Sequence, residues 1–341
     1  MALSSAQQSV KHQVVNNLAV AIIFFINGCT TPTKLLLENG KRWKEHLLIQ
    51  IMCFGLTSAT TFAVVSAAAT KENVLDPALL NGVVLLGCLP TALAFNTVMT
   101  KKANGNAELT LTESVLGSIL GPVLTTVLMQ GYSSRECWYT SILPKSQGGY
   151  SEVFKAAFKQ LGLTLFMPLA VGQITLNILP KATETVFTQY KGRKLASIAL
   201  LILIWSACDS AFETGAIAAL GQNNMIFAVF LAVALFIFWL GAAMLASILL
   251  HLPRGDVIAA MFCVSTKTPA LGLPLITALY AGLDASNSAK LTVPMVLYQC
   301  VQTCLSSLAT IPLRRWRKEE SDPEDAKENS SSDVRQVQEE L

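Results

Sequence analysis

The sequence predicts an all-α polytopic membrane protein, and three observations predict it. Hydrophobic residues make up 52% of the 341-residue chain and charged residues only 14%, against about 25% charged in soluble domains. Apolar runs close to the roughly 20 residues needed to cross a bilayer recur from end to end. Polar and basic residues collect between those runs. The net charge of +3 is small, and its basic residues cluster in loops, which suits membrane topology better than polyanion binding; no nucleic-acid partner is expected.

Nine spans are expected. The first, 14–31, contains F-F-I-N-G, and the second covers 46–69. The third, 79–100, reads G-C-L-P-T-A-L-A-F-N across Pro90, which removes a backbone donor and breaks the helix. The fourth, 109–129, carries Gly117 and Gly121 at a spacing that lets helices approach closely. A polar loop, 131–157, with Cys137 and Gly148-Gly149, follows. The fifth, 158–179, contains M-P-L-A-V-G-Q; the sixth, 195–212, ends in C-D-S-A-F; the seventh, 226–250, is apolar nearly all round. The eighth, 257–283, holds F-C-V-S-T-K-T-P-A-L-G-L-P, and the ninth covers 291–313. The segment 314–341 starts with R-R-W-R-K and becomes an acidic, Ser-rich tail with too few apolar residues to fold alone. No removable signal peptide is expected within 1–13.

The eighth span is the least ordinary. Ser265, Thr266, Lys267 and Thr268 stand at its middle, followed by Pro269 and Pro274. Interrupted backbone survives at membrane depth only when buried in protein or lining water. A mid-depth lysine costs about 2.5–3.5 kcal/mol on insertion scales, so Lys267 needs partners or water.

Loop charge sets an orientation. Lys34, Lys41, Arg42, Lys44, Lys101, Lys102, Lys181, Arg193, Arg254 and the run 314–318 fall on one side, and fewer basic residues, among them Lys71, Arg135 and Lys290, on the other. The positive-inside rule puts the first side and the C-terminus in the cytoplasm, with segment 1–13 outside. Either the plasma membrane or a secretory-pathway membrane fits.

An internal repeat relates 86–111 to 262–292. Each has a proline-broken helix, a short polar turn and a following span. By the charge count the two start on opposite sides of the membrane. Paired broken helices in opposed halves point to a transporter midplane site. Two unrelated kinked helices in a membrane receptor or scaffold are the alternative.

G-C-L-P-T-A-L-A-F-N-T-V-M-T, G-N-A-E, M-P-L-A-V-G-Q, C-D-S-A-F and the motif around Lys267 occur in an order that resembles the bile acid:sodium symporter superfamily, in its branch around solute carrier family 10 member 7 and the fungal proteins that restrain calcium entry. The resemblance implies a fold of two inverted five-helix repeats, in which a panel of helices rocks against a core with two crossing broken helices. The first span resembles the family's second helix, so the first repeat, 14–130, is expected to be incomplete and the second, 158–313, complete. The resemblance also implies a substrate and cation site. Asn96, Thr110 and Ser114 keep the hard oxygen donors that an alkali ion wants, whereas Phe95 replaces one donor. Ser265 and Pro269 stand where the family has a Glu and a Gln, so Na+ is expected at one site only. With Lys267 the expected site comprises Asn96, Thr110, Glu113, Ser114, Ser265, Thr266 and Thr268, around breaks at Pro90, Pro269 and Pro274. Lys267 is expected to occupy the space of a sodium ion, with Glu113 as its counter-charge.

Two functions compete on this basis. One is a secondary carrier that moves a small organic solute by alternating access. The other is a non-transporting membrane regulator of calcium influx, working through another membrane protein or lipid. An enzyme is not expected: G-x-S-x-G and H-E-x-x-H are missing, and so is a nucleotide-binding glycine loop. No cofactor or metal centre is expected; the cysteines read as small hydrophobes, and His12, His46 and His251 stand at span ends in no ligand cluster. Asn27, Gln173, Gln299 and Gln302 either face a cavity or bond between helices.

Overall fold

A computed structural model describes residues 5–339, apart from 33, 35–37, 72–73, 136, 144–158, 160–161, 191, 215 and 281. Most of the polar loop, including Gly148-Gly149, therefore lies outside the described residues. Those described form helices and turns with no strand.

Helix α1 (Ser5–Thr30) starts well before the expected boundary at 14. Helix α2 (Trp43–Ala68) contains a π-helical stretch over Ile51–Leu56. Next come α3 (Pro77–Cys88) and α4 (Leu93–Lys102), the two halves of the span that Pro90 interrupts. Asp76 caps α3 by accepting from the Ala78 and Leu79 amides at 2.9 and 3.2 Å, and Pro77 fits its first turn. Asn106 caps α5 (Ala107–Ser133) in the same way, through the Leu109 amide at 3.0 Å.

The second half contains α6 (Met167–Ile178), preceded by a π-helical turn, then α7 (Pro180–Glu184), α8 (Arg193–Glu213) and α9 (Ala216–Leu249). Gly221, at φ 70° and ψ 165°, kinks α9 in a conformation that side-chained residues avoid. The second broken span consists of α10 (Arg254–Ser265) and α11 (Pro269–Leu279). Helix α12 (Ala285–Glu339) ends the chain.

Five described helices are long and apolar enough to cross a membrane, or six if the bent pair Gly162–Ile178 and Pro180–Phe187 is one span. That is fewer than the nine expected, because α1, α3 and α8 have apolar stretches of only 10–17 described residues. The segment after Lys318, expected to lack structure, continues α12 to Glu339. A helix pairs its own backbone and needs no packed neighbour to do so.

The helices sort into two groups. Helices α1, α6 and α8 pack chiefly around α1, while α2–α5 and α9–α12 pack around the broken spans. Gly28 and Gly172 bring α1 against α6: a Cβ on either would lie 2.4 or 2.3 Å from a backbone carbonyl oxygen of the other helix. Burial separates interior from lipid-facing helices. The most apolar window of the broken span Arg254–Ile276 is 94% buried, and that of α9 only 33%. Phe230, Ile237 and Phe238 of α9 point outward, as lipid contact favours.

Candidate functional site

Both interruptions lie at the junction of the second helix group, and they touch. The Thr268 amide donates to the Pro90 carbonyl at 3.1 Å. The Thr266 hydroxyl donates to the Asn96 side-chain oxygen, and the Asn96 amide donates to the Thr91 hydroxyl. Helix α5 seals the first break from behind. A Cβ on Gly121 would sit 2.7 Å from Pro90 Cγ, so only glycine lets α5 come this close.

Broken helices leave carbonyls without partners, and the chain supplies a donor to each here. Thr57 and Thr125 hydroxyls donate to the Gly87 and Cys88 carbonyls, both at 2.7 Å. Lys267 Nζ donates to the Leu89 carbonyl at 2.9 Å, the Cys53 carbonyl at 2.8 Å and Thr57 Oγ1 at 2.9 Å. The face of Trp239 lies 5.3 Å from the ammonium, close enough for a cation–π contact. Lys267 is fully buried, and its ammonium is held by oxygens at a half-helix C-terminus, where positive charge is favoured. Its own backbone is clamped by Gln302, which accepts from the Lys267 amide at 2.8 Å and donates to its carbonyl at 2.9 Å. The Tyr298 hydroxyl takes the Ser265 carbonyl at 2.5 Å.

The expected Lys267–Glu113 pair does not form. Glu113 instead contacts His46 Nδ1 through Oε1 and accepts from Gln50 Nε2 at 2.8 Å through Oε2. Helix α2 supplies two of the three oxygens around Lys267 and the partners of Glu113 from separate positions, so neither group needs the other. His46, given no role from sequence, is therefore part of the buried polar framework, and so is Gln50.

A cavity of about 590 Å³ lies between the two helix groups. Ile23, Phe24, Ile26 and Leu200 wall it from α1 and α8, and Phe95, Val98 and Leu111 from α4 and α5. Its inner end is formed by Thr91 and Ala92 before α4 and by Thr268, Pro269 and Ala270 at the start of α11, with Ser118 and Gln299 alongside. The exposed residues Lys101 and Glu108 border its other end. Asn27 lines the cavity at 4% exposure, and among the described residues its side-chain amide has no hydrogen-bond partner.

Of the expected binding residues, Thr268 borders this cavity. Asn96, Thr110, Glu113, Ser114, Ser265, Thr266 and Lys267 are enclosed behind it. Thr110 and Ser114 hydroxyls donate to the Asn106 and Thr110 carbonyls of their own helix at 3.0 and 2.8 Å. Pro269 lines the cavity; Pro90 packs on α5, and Pro274 lies within α11. Gln173 bonds between helices, donating to the Gly28 and Thr31 carbonyls at 2.9 Å. Asn27 and Gln299 face the cavity. Among the described residues no group of three or more His, Cys, Asp or Glu side chains converges as a metal site.

Two broken helices in contact beside a cavity between helix groups are a transporter-like arrangement, and sequence comparison decides the family. A profile of the SBF-like CPA transporter family matches residues 2–315. The chain belongs to that family. It is 32% identical to solute carrier RCH1 of Candida albicans, over 92% of this chain and 84% of that protein, and 28% identical to solute carrier RCH1 of Saccharomyces cerevisiae, over 93% and 80%. Sodium/bile acid cotransporter 7 of Rattus norvegicus is 26% identical over 89% of this chain and 84% of its own. With its apolar helices, this makes the chain a multi-pass membrane protein of a transporter family; its relatives are carriers, not enzymes.

Proposed function

We propose that the protein is a secondary carrier that moves a small organic anion by alternating access between the α1-centred helices and the broken-helix group, within a nine-span inverted-repeat fold. One observation carries this reading: the cavity between the two groups ends at the N-termini of two half-helices. Helix N-termini attract anions through unpaired amides and the helix dipole. Asn27 adds a buried amide that no described residue engages, and the apolar walls suit an organic body. By the charge count, Lys101 and Glu108 lie at the cytoplasmic end, so the cavity is inward-facing.

Lys267 replaces a mobile cation in this reading. Its ammonium is held by oxygens at the broken helix end, and the Asn96 amide is already engaged by Thr91 and Thr266. Transport then needs no sodium. Proteoliposomes given labelled short-chain carboxylates and sulfate esters test this. Uptake that persists without sodium and falls at least about fivefold in Asn27→Leu is expected, since losing a buried polar partner is worth roughly 1–3 kcal/mol. Strict sodium dependence overturns the fixed-cation role.

The enclosure of Asn96, Thr110 and Ser114 favours a second reading, a non-transporting regulator of calcium influx. Absence of uptake across the panel, together with raised calcium entry in cells lacking the gene, supports that alternative.

A further inference from the structure

We infer that His46 and Glu113 form a buried site for one exchangeable proton, tied to a segment that crosses between the two helix groups. Hydrogen-bond chemistry requires the proton. His46 Nε2 lies 2.8 Å from the Asn39 carbonyl oxygen. A carbonyl only accepts, so Nε2 carries a hydrogen. On the opposite edge of the ring, Nδ1 contacts Glu113 Oε1. A bare imidazole nitrogen and a carboxylate oxygen both only accept, so this contact also holds a hydrogen, on one atom or the other. Gln50 Nε2 donates to Glu113 Oε2 at 2.8 Å and to the Glu113 carbonyl at 3.1 Å, fixing the carboxyl group from its other side. Together, the pair carries one proton more than a neutral imidazole and a carboxylate would.

The site is enclosed at one end and open at the other. The Glu113 side chain is 0% exposed, and the His46 side chain 11%. Access is from the start of α2, where Arg42 and Glu45 stand. The ionisable groups nearest the pair are Glu45 from α2 and the Cys263 thiol from α10, with Arg42 joining Glu45 to Asp256 of α10 and the Cys53 thiol next to Cys263. Arg42 is already bound to Glu45 at 2.8 Å and to Asp256, and Lys267 Nζ is bound to Cys53, Thr57 and Leu89. No cation therefore replaces the proton when it leaves. On deprotonation the N–H or O–H bond between the two residues breaks. The proton passes to water at the Arg42 end, and the electron pair stays on the pair, leaving a carboxylate against an imidazole lone pair in a buried, low-dielectric place. That repulsion favours rotation of the imidazole and release of Asn39.

Asn39 lies between α1 and α2, on a chain segment joining the α1-centred helices to the broken-helix group. Proton occupancy is therefore linked to how that segment is held. This consequence rests on the two-group carrier reading; the proton site itself rests on hydrogen-bond geometry alone.

Full-length protein in lipid nanodiscs, labelled with 15N-histidine, tests the site without any substrate. The chain has three histidines, His12, His46 and His251, and His46→Gln assigns the signals. His46 is expected to keep its Nε2–H and a hydrogen-bonded Nδ1 while the pair holds its proton, and to change in one step when that proton leaves. Glu113→Gln supplies an N–H to Nδ1 and a carbonyl to Gln50, so in it the step disappears and His46 stays neutral throughout. A His46 whose Nδ1 shows no hydrogen bond at any pH, or that is unmoved by Glu113→Gln, overturns the proposal. If Glu113→Gln fails to fold, difference infrared spectra of the carboxyl band in wild type and His46→Gln decide. A shift in the pH at which the Glu113 carboxyl band appears supports the shared proton, and an unchanged pH overturns it. Maleimide labelling of Asn39→Cys reads the linkage: labelling that rises across the same step in wild type but stays flat with Glu113→Gln supports it, and labelling that ignores the step overturns it. Both spectroscopic readouts stand or fall independently of uptake, so failure of the carrier reading and failure of the proton site are distinguishable.

Discussion

The two breaks look alike in sequence, each a proline in an apolar span with hydroxyls nearby, yet they have opposite roles. The first, at Leu89 to Ala92, accepts. Its carbonyls from Gly87 to Pro90 receive donors from Thr57, Thr125, Lys267 and Thr268. The second, at Thr266 to Thr268, donates. It sends the Thr266 hydroxyl, the Lys267 ammonium and the Thr268 amide into the first. Gln302 and Tyr298 of α12 hold the donating break in place. A repeated motif has thus become an asymmetric joint, with its charge on one side and its bare carbonyls on the other.

Removing the donated charge breaks this comparison most severely. Lys267→Met removes the ammonium donor from the buried Leu89 carbonyl and leaves the Cys53 carbonyl with the Thr57 hydroxyl alone among side-chain donors. Each buried unsatisfied group costs about 1–3 kcal/mol, so a total loss on the order of 3 kcal/mol or more is expected. Size-exclusion profiles and thermal unfolding in detergent read it; an unchanged melting temperature contradicts the role. Next comes the clamp. Gln302→Leu frees both backbone groups of Lys267 and is expected to cost about 2 kcal/mol by the same measurement. Gly121→Val acts on the accepting break, forcing a side chain against Pro90, with about 1–3 kcal/mol expected for overpacking. Gly131, with nothing within 4 Å of its Cβ position, is the control and should tolerate the same change.

The smallest effect lies away from both breaks. Asp284, just before α12, accepts from the Asn287 amide at 3.0 Å and the Asn287 side chain at 2.8 Å. The backbone donor is the larger cause that holds its carboxyl below the usual aspartate range. A depressed carboxylate stabilises the fold above its unfolded pKa, and that stabilisation is lost as pH falls through the folded value. Asp284→Asn keeps an acceptor but removes the titration. The wild type should therefore lose a small part of its thermal stability at acid pH that the variant does not. At this exposed position solvent screening keeps the difference slight.

The prolines and hydroxyls made both breaks legible from sequence, because a mid-span proline has few other outcomes in lipid. Lys267 was legible as a residue that needs partners. Its partners were not, because two of its oxygens are the Cys53 and Leu89 carbonyls, and backbone atoms have no sequence signature. Pairing it with Glu113 matched charge to charge and overlooked that His46 lies 67 positions from Glu113 in sequence yet in contact with it. Five or six described helices are long and apolar enough to cross a membrane, because hydropathy marks apolar runs, whereas α3 is short and buried among other helices, where length is no longer set by lipid thickness. Asn27 could be singled out as polar within an apolar span, but only packing separates a cavity-facing amide from an interhelical one such as Gln173.

Accessibility at Thr268 tests the central claim most directly, because this residue joins the breaks and borders the cavity. Thr268→Cys, in a background with Cys137, Cys300 and Cys304 replaced by alanine, is reconstituted in oriented proteoliposomes and probed with a membrane-impermeant maleimide from each side in turn. The account predicts labelling from both sides, with bound organic anion lowering both rates. Labelling from one side alone, unaffected by any anion, contradicts alternating access.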